Sequence, residues 1–436
     1  MSQISVAVIG GGLSGLCAVR YLSAKPNVFK VVAYEQLDQI GGTWVYTDDT
    51  GTDKYGQPIH SSMYRRLRTN IPKEVMMFPD LPIVEGGQTS YIKHHEVLRY
   101  LQRYAATFDL KKYIQFFSRV ESVKPISKTS QILWEVSVRN VKAPESLPQV
   151  YEFDAVMVCT GHYSEPHIPS IPGLETFTGT LLHSHDYRHP EAFIGQTVVL
   201  LGAGNSGLDI TVDLSSFAKS IYLSHLQPPL STVLPRNAHQ VPGIRSVNEG
   251  SIVFTTGESV EADTLIVCTG YKYSFPFLKP ECEVEIDRMR VTPLYKHIIH
   301  TKFTSLSFIG IVFKNTPAQV FSCQVRFVLA ALDGTMSLPS KAVMDSHLQK
   351  DYEYRCSVLK WPHHYAHKLG GMQWDYCKEL LELANEEIDV AQPGVEKLYY
   401  ESTERKRQNI ISYKDLNYEL SDDYNEWSAI EPVVRQ

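Results

Sequence analysis

The chain lacks any run of apolar residues near 18 in length, so the sequence offers no ordinary membrane-spanning helix. It also lacks a basic excess: 42 lysines and arginines face 48 aspartates and glutamates, for a net charge of −6. A nucleic-acid partner, which would select for a basic face, is therefore not expected. None of its seven scattered cysteines forms a C-x-x-C pair, which argues for reduced thiols over a disulfide framework or a zinc site. Nor does a basic segment followed by an apolar one open the chain. No signal peptide is read, and a cytoplasmic location is expected, with secretion left open for a trimmed chain. What remains is an ordinary globular composition over 436 residues, enough for two or three domains.

One theme is present twice. "ISVAVIGGGLSGLCAVRYLSA" carries Gly10-x-Gly12-x-x-Gly15, and "TVVLLGAGNSGLDITVDL" carries Gly202-x-Gly204-x-x-Gly207. In each, an apolar strand runs through glycines into a helix. The first glycine permits the tight turn, the second lets a pyrophosphate approach the backbone, and the third lets helix and strand pack closely. The helix N-terminus then favours an anion. Leu13 and Ser14, and Asn205 and Ser206, stand at the two helix starts and join the expected cofactor-binding set. Glu35 ends the next strand, "KVVAYE", where an acid would hold a ribose hydroxyl. The corresponding strand of the second theme ends in "LSHLQ", without an acid. Ser224 and His225 there either favour the 2′-phosphorylated cofactor NADPH or simply begin a solvated loop.

Two such turns suggest FAD in one unit and a nicotinamide in the other, with hydride passing between them. No cysteine lies between Glu35 and Lys93, where disulfide reductases carry their pair, so oxygen is the expected electron acceptor. The expected fold is α/β, with two dinucleotide-binding Rossmann-like domains and the NADPH domain inserted into the FAD domain. Residues 1–170 form the first part of the FAD domain, with a polar excursion over 41–93. Residues 171–290 form the NADPH domain. Residues 291–436 complete the FAD domain with C-terminal helices and a peripheral arm or mobile tail.

"FTGTLLHSHDY" (Phe177–Tyr187) precedes the second turn. His183 and His185 invite a metal, but nothing completes a ligand set and none is expected. The stretch instead fits the pattern FxGxxxHxxxY. With its two flanking fingerprints the chain resembles the flavin-containing monooxygenases over most of its length, above all the soluble insect members that N-oxygenate pyrrolizidine alkaloids. "EQLDQIGGTW" is similar to the family's ribose acid and flavin-contacting segment, which implies roles for Glu35, Gly42, Thr43 and Trp44. "LRTNIPKEVMMFPDLP" resembles its active-site stretch, implying that Thr69 binds cofactor and that Asn70 is the catalytic residue beside the flavin; Asn70 could otherwise cap a turn before Pro72. "VCTGYKYSFPFL" resembles the inter-domain Thr-Gly segment, with Thr269 and Gly270. "FKNTPAQVFSCQVRFVLAALDG" resembles a flavin-side helix, with Gln324 approaching the isoalloxazine. The family's arginine two residues after the phosphate-binding serine is Leu226 here. Arg236, in the following loop, is the expected substitute, and NADH use stays open.

The resemblance implies an FAD- and NADPH-dependent monooxygenase that forms a C4a-hydroperoxyflavin and oxygenates soft nucleophiles. N-oxidation of tertiary amines such as plant alkaloids, as detoxification, is the first expectation. The alternatives are S-oxygenation, Baeyer–Villiger oxygenation of ketones, and a non-catalytic redox-responsive module. A homo-oligomer is expected. Tyr91, Trp374 and Tyr376 either line a substrate pocket or fill the core, and His363, His364 and His367 are read as packing residues.

Overall fold

The computed structural model describes residues 3–128 and 131–430. Continuous apolar strands form parallel sheets when both faces are covered, and two such sheets organise this molecule. In the first, Ile4–Ile9 lies between Phe29–Tyr34 and Ala155–Val158, parallel to both. Leu306–Phe308 continues the parallel run beside Ala155–Val158, and short strands at each edge bring the sheet to seven. Alternate side chains serve opposite faces. Val6, Val8, Ala155 and Met157 face a helical layer that includes Leu16, Val97, Leu101, Val325 and Leu380. Ala7, Ile9, Val156 and Val158 face a core with Val120, Trp134 and Phe153 of an antiparallel three-stranded sheet, Ser118–Lys128, Gln131–Asn140 and Gln149–Phe153.

The second unit repeats this plan on a smaller scale. Five strands are all parallel, in the order Ala238–Val241, Ser220–Ser224, Thr197–Leu201, Thr264–Val267, Thr180–His183. Helix Asn205–Leu214 packs on one face through Ile210 and Leu214. A three-stranded antiparallel sheet, with Val247, Ile252 and Phe254, covers the other.

All five strands of the second sheet lie in sequence between Ala155–Val158 and Leu306–Phe308 of the first. The chain leaves and returns through two linkers, Glu165–Pro166 and Tyr271–Lys272, which pair antiparallel. Tyr273, Phe275 and Phe277 already pack in the core of the seven-stranded sheet. By packing, residues 273–290 therefore sit with the first unit, ahead of the boundary expected at 291, because aromatic burial resumes directly after the paired linkers.

The expected arm or tail is folded into the molecule through residue 430. Helix Pro393–Gln408 buries Val395 and Leu398, and the hairpin of Asn417–Leu420 and Trp427–Ile430 buries Tyr418. Periodic apolar positions spaced among many charges hid this burial in the sequence. Among the described residues no helix is long and apolar enough to cross a membrane.

Candidate active site

Both glycine turns lie at the carboxyl end of a central parallel strand, where open α/β sheets bind ligands. Their geometry is nearly superimposable. Gly10 and Gly202 have φ of 110° and 112°, a region that only glycine enters readily. A methyl on Gly15 would stand 1.9 Å from the Gly10 carbonyl oxygen, and one on Gly207 would stand 1.9 Å from that of Gly202. A methyl on Gly10 or Gly202 would meet the carbonyl of Cys159 or Cys268 at 2.6 Å. Each turn is thus pressed against a Cys-Thr-Gly strand end, Cys159–Gly161 or Cys268–Gly270. Gly204 differs from all of these: it is exposed, and nothing among the described residues lies within 4 Å of a methyl placed there. Gly12 and Gly204 cap helices Leu13–Ser23 and Asn205–Leu214, whose first-turn N–H groups have no intrahelical acceptor.

Beside the first turn, buried Glu35 accepts the Gly11 N–H at 2.6 Å and the Leu37 N–H at 2.8 Å. Each carboxylate oxygen keeps a lone pair for a further donor such as a ribose hydroxyl. His60, which the sequence reading missed, stands close enough for Glu35 to pull its proton affinity up, although burial pushes it down more strongly. The Gly41–Trp44 turn docks on the first turn through Gly41 N–H to Gly11 O (3.1 Å). Thr43 Oγ1, Thr69 Oγ1 and Asn70 Oδ1 are buried and have no hydrogen-bond partner among the described residues. Both stretches run along the start of helix His94–Thr107: Gly41 lies against Leu98, Leu67 O accepts the His94 N–H, and Thr69 N–H donates to Ile92 O. Orphaned polar atoms gathered beside an anion-binding turn fit a large polar ligand held there.

Several expected ligands are placed otherwise. The Ser14 hydroxyl donates to Cys159 O (3.1 Å), so only its backbone N–H faces the helix mouth. Gln324 has no exposed surface. Its Oε1 accepts the Gly310 N–H and its Nε2 donates to Tyr376 Oη, both at 2.9 Å, so in this structure it braces helix Pro317–Leu332 rather than facing an opening. Ser224 is fully buried, its hydroxyl donating to Pro242 O (2.8 Å), and His225 is nearly so. Arg236 lies at the wrong end of the sheet. It precedes Ala238–Val241, which runs parallel to Ser220–Ser224 with Ala238 opposite Ile221, and Asn237 caps carbonyls of Ser215 and Ala218. A residue at the amino end of a parallel strand cannot meet a ligand at the carboxyl end. The Thr269 hydroxyl donates to His167 O, and Gly270 O accepts from His183, so this pair serves the linker. Tyr91, Trp374 and Tyr376 are core residues, and His367 is buried.

The stretch Phe177–Tyr187 turns out to be a clasp. His183 Nε2–H donates to Gly270 O (3.0 Å) while its Nδ1 accepts the His185 N–H (3.0 Å). His185 Nε2–H reaches Ile59 O (2.9 Å) in the excursion. Tyr187 donates to Asp213 at 2.6 Å, and its ring meets Tyr64, whose hydroxyl bonds Asp209. Arg188 is a second residue that sequence reasoning missed. It is buried without a carboxylate, and its guanidinium donates to the carbonyls of Asp49, Ser61, His185 and Tyr187. No periodicity announces it. Asp209 and Asp213, four apart on one helix face, signalled only the tyrosine partners of the clasp, Tyr64 and Tyr187.

Burial pushes His183 down to about 4, so it is neutral in the folded protein. An unfolded histidine protonates near 6.5. The unfolded chain therefore binds protons that the native state refuses, and stability present above about pH 6.5 is lost as pH falls towards 4. Thermal melts between pH 4.5 and 7.5 should show this slope, and His183→Gln should reduce it. An unchanged slope would remove His183 as a cause.

Comparison with known proteins decides the family. The profile of the family described as FMO-like, flavin-binding monooxygenase-like, matches residues 3–240 and 229–404. The chain belongs to the flavin-binding monooxygenase family. It is 38% identical over 396 residues to the flavin-containing monooxygenase FMO GS-OX4 of Arabidopsis thaliana, covering 87% of this chain and 84% of that one. It superposes with TM-score 0.87 and 34% identity on the S-allyl-L-cysteine S-oxygenase from Allium sativum, covering 97% of each chain. Cyclohexanone monooxygenase, at 15% identity and TM-score 0.61 over 88% of this chain and 98% of that one, shares the fold. The GS-OX4 monooxygenase and the S-allyl-L-cysteine S-oxygenase are plant proteins, which corrects the expected likeness to insect members. The family uses FAD and NADPH.

Proposed function

We propose that this protein is an NADPH-dependent flavin monooxygenase whose substrate is an organic sulfide, oxidised to the sulfoxide. The observation that carries this reading is the end-to-end likeness to an S-oxygenase at 34% identity. It replaces N-oxidation of plant alkaloids, which no relative described above supports. A bound FAD would pass the two electrons of NADPH to dioxygen, so that one oxygen atom could be attacked by a sulfur lone pair and the other would leave as water.

The chain's own residues do the holding. The first turn, with Gly10, Gly12 and Gly15, and the Glu35 carboxylate would hold FAD by its pyrophosphate and ribose. Gly42, Thr43, Trp44 and Thr69 would line its path. The second turn, with Gly202, Gly204 and Gly207, would hold NADPH. Arg245, exposed and two residues beyond the Gly243 backbone on which Leu226 packs, replaces Arg236 as the candidate for the 2′-phosphate. Asn70, whose amide oxygen is unpartnered, would accept or donate a hydrogen bond at the reacting end of the cofactors. The clasp of His183, Tyr187 and Arg188 holds the excursion that carries Asn70 against the second unit and so excludes water.

The test is an alkyl thioether, a tertiary amine and a cyclic ketone offered separately with NADPH and oxygen, products identified by mass spectrometry. Sulfoxide formed in step with NADPH consumed is expected; N-oxide or lactone as the faster product would overturn the sulfide assignment. In the same assay Asn70→Ala should divert NADPH consumption to hydrogen peroxide, lowering product per NADPH by about tenfold, the worth of one strong hydrogen bond. Full coupling in that variant would refute its role.

A further inference from the structure

The C-terminal segment bridges both units at the second turn. Lys406, near the end of helix Pro393–Gln408, donates from Nζ to Asn205 Oδ1 at 2.8 Å. Asn205 is the first residue of the helix that Gly204 opens, and the space beside Gly204 is empty of protein. Lys414 approaches from the same segment, bonding Asp209 at 2.6 Å and the Arg68 carbonyl at 3.1 Å. The centre of the Tyr413 ring is 5.6 Å from the Lys406 ammonium and 5.7 Å from that of Lys414. Among the described residues cation thus exceeds anion here: Asp209 is the carboxylate for Lys414 and already accepts Tyr64, while Lys406 bonds only a neutral amide oxygen. Burial, with Lys414 and Lys314 nearby, pushes Lys406 down to about 8, and Asp209 only partly offsets this. A charge held short of counter-charge beside unpaired helix N–H groups gains most from an arriving anion.

We propose that Lys406 binds the pyrophosphate of the nicotinamide cofactor, so that the C-terminal helix completes a site whose other half is the second glycine turn. This rests on the reading that the second turn holds that cofactor. An ammonium has three donors, so Lys406 can keep Asn205 and still reach a phosphate oxygen. Its place at the helix start, away from the strand end at Ser224, assigns it to the pyrophosphate shared by NADP⁺ and NAD⁺ rather than to the 2′-phosphate.

The experiment titrates purified FAD-loaded protein with NADP⁺ and with NAD⁺ by calorimetry, in wild type, Lys406→Gln and Lys406→Arg, with FAD content and thermal melting recorded for each. Glutamine keeps a donor for Asn205 and removes the charge. Binding of both nucleotides to Lys406→Gln should weaken alike, by about tenfold to a hundredfold, the worth of a charged hydrogen bond. Lys406→Arg, which keeps the charge, should retain most of the binding. Wild-type affinity in Lys406→Gln, or a loss confined to NADP⁺, would overturn the assignment, and so would equal losses in the arginine and glutamine variants. Wild-type protein that binds neither nucleotide would instead remove the underlying reading, and this assignment with it.

Discussion

Alanine at Gly204 is expected to leave the protein folded and yellow while weakening NADP⁺ binding at least about tenfold, roughly 1.4 kcal/mol. The backbone there, with φ of −77° and ψ of −170°, suits any residue, and nothing among the described residues lies within 4 Å of the new methyl. The methyl would stand in the empty space that a phosphate must enter. Alanine at Gly207 should do the reverse. Its methyl would lie 1.9 Å from the Gly202 carbonyl, so helix and strand must separate, and the loss would be one of stability. Thermal melting and nucleotide titration on the two variants separate the effects. If both lose stability equally, or if Gly204→Ala binds NADP⁺ normally, the second turn is not a phosphate cradle.

Arg188→Met is expected to cost about 3 kcal/mol or more, seen as a melting temperature lower by at least about 3 °C. Methionine fills much of the volume but leaves the carbonyls of Asp49, Ser61, His185 and Tyr187 without their donor in a site that water barely reaches. Unsatisfied buried carbonyls carry their full desolvation penalty. Asp49 and Ser61 belong to the excursion, so the same change should loosen it from the second unit. Proteolysis within residues 41–93 should accelerate ahead of global unfolding. A melting temperature within about 1 °C of wild type would show that the carbonyls find other donors.

The parts of the site legible in the sequence are those that local chain geometry dictates. Gly10, Gly15, Gly202 and Gly207 are required because a backbone oxygen fills the place of their side chains, and that requirement is written in the spacing. Glu35 was legible for the same reason: a strand of fixed length delivers it beside the first turn. The misplacements, Ser224, Gln324 and Arg236, concern direction. A sequence names a residue near a strand end without saying whether its hydroxyl turns inward, as in Ser224, or whether an amide is already spent, as in Gln324.

By itself, then, the sequence determined two nucleotide-type turns, their order, and the family, because these depend on residues close together along the chain. Only the tertiary structure decided which end of the second sheet Arg236 occupies, since parallel pairing of Ala238 with Ile221 fixes it. It alone brought Lys406 to Asn205 across a sequence separation of 201 and set Arg188 among four carbonyls. Such contacts are made by packing between distant segments, and no local pattern encodes them.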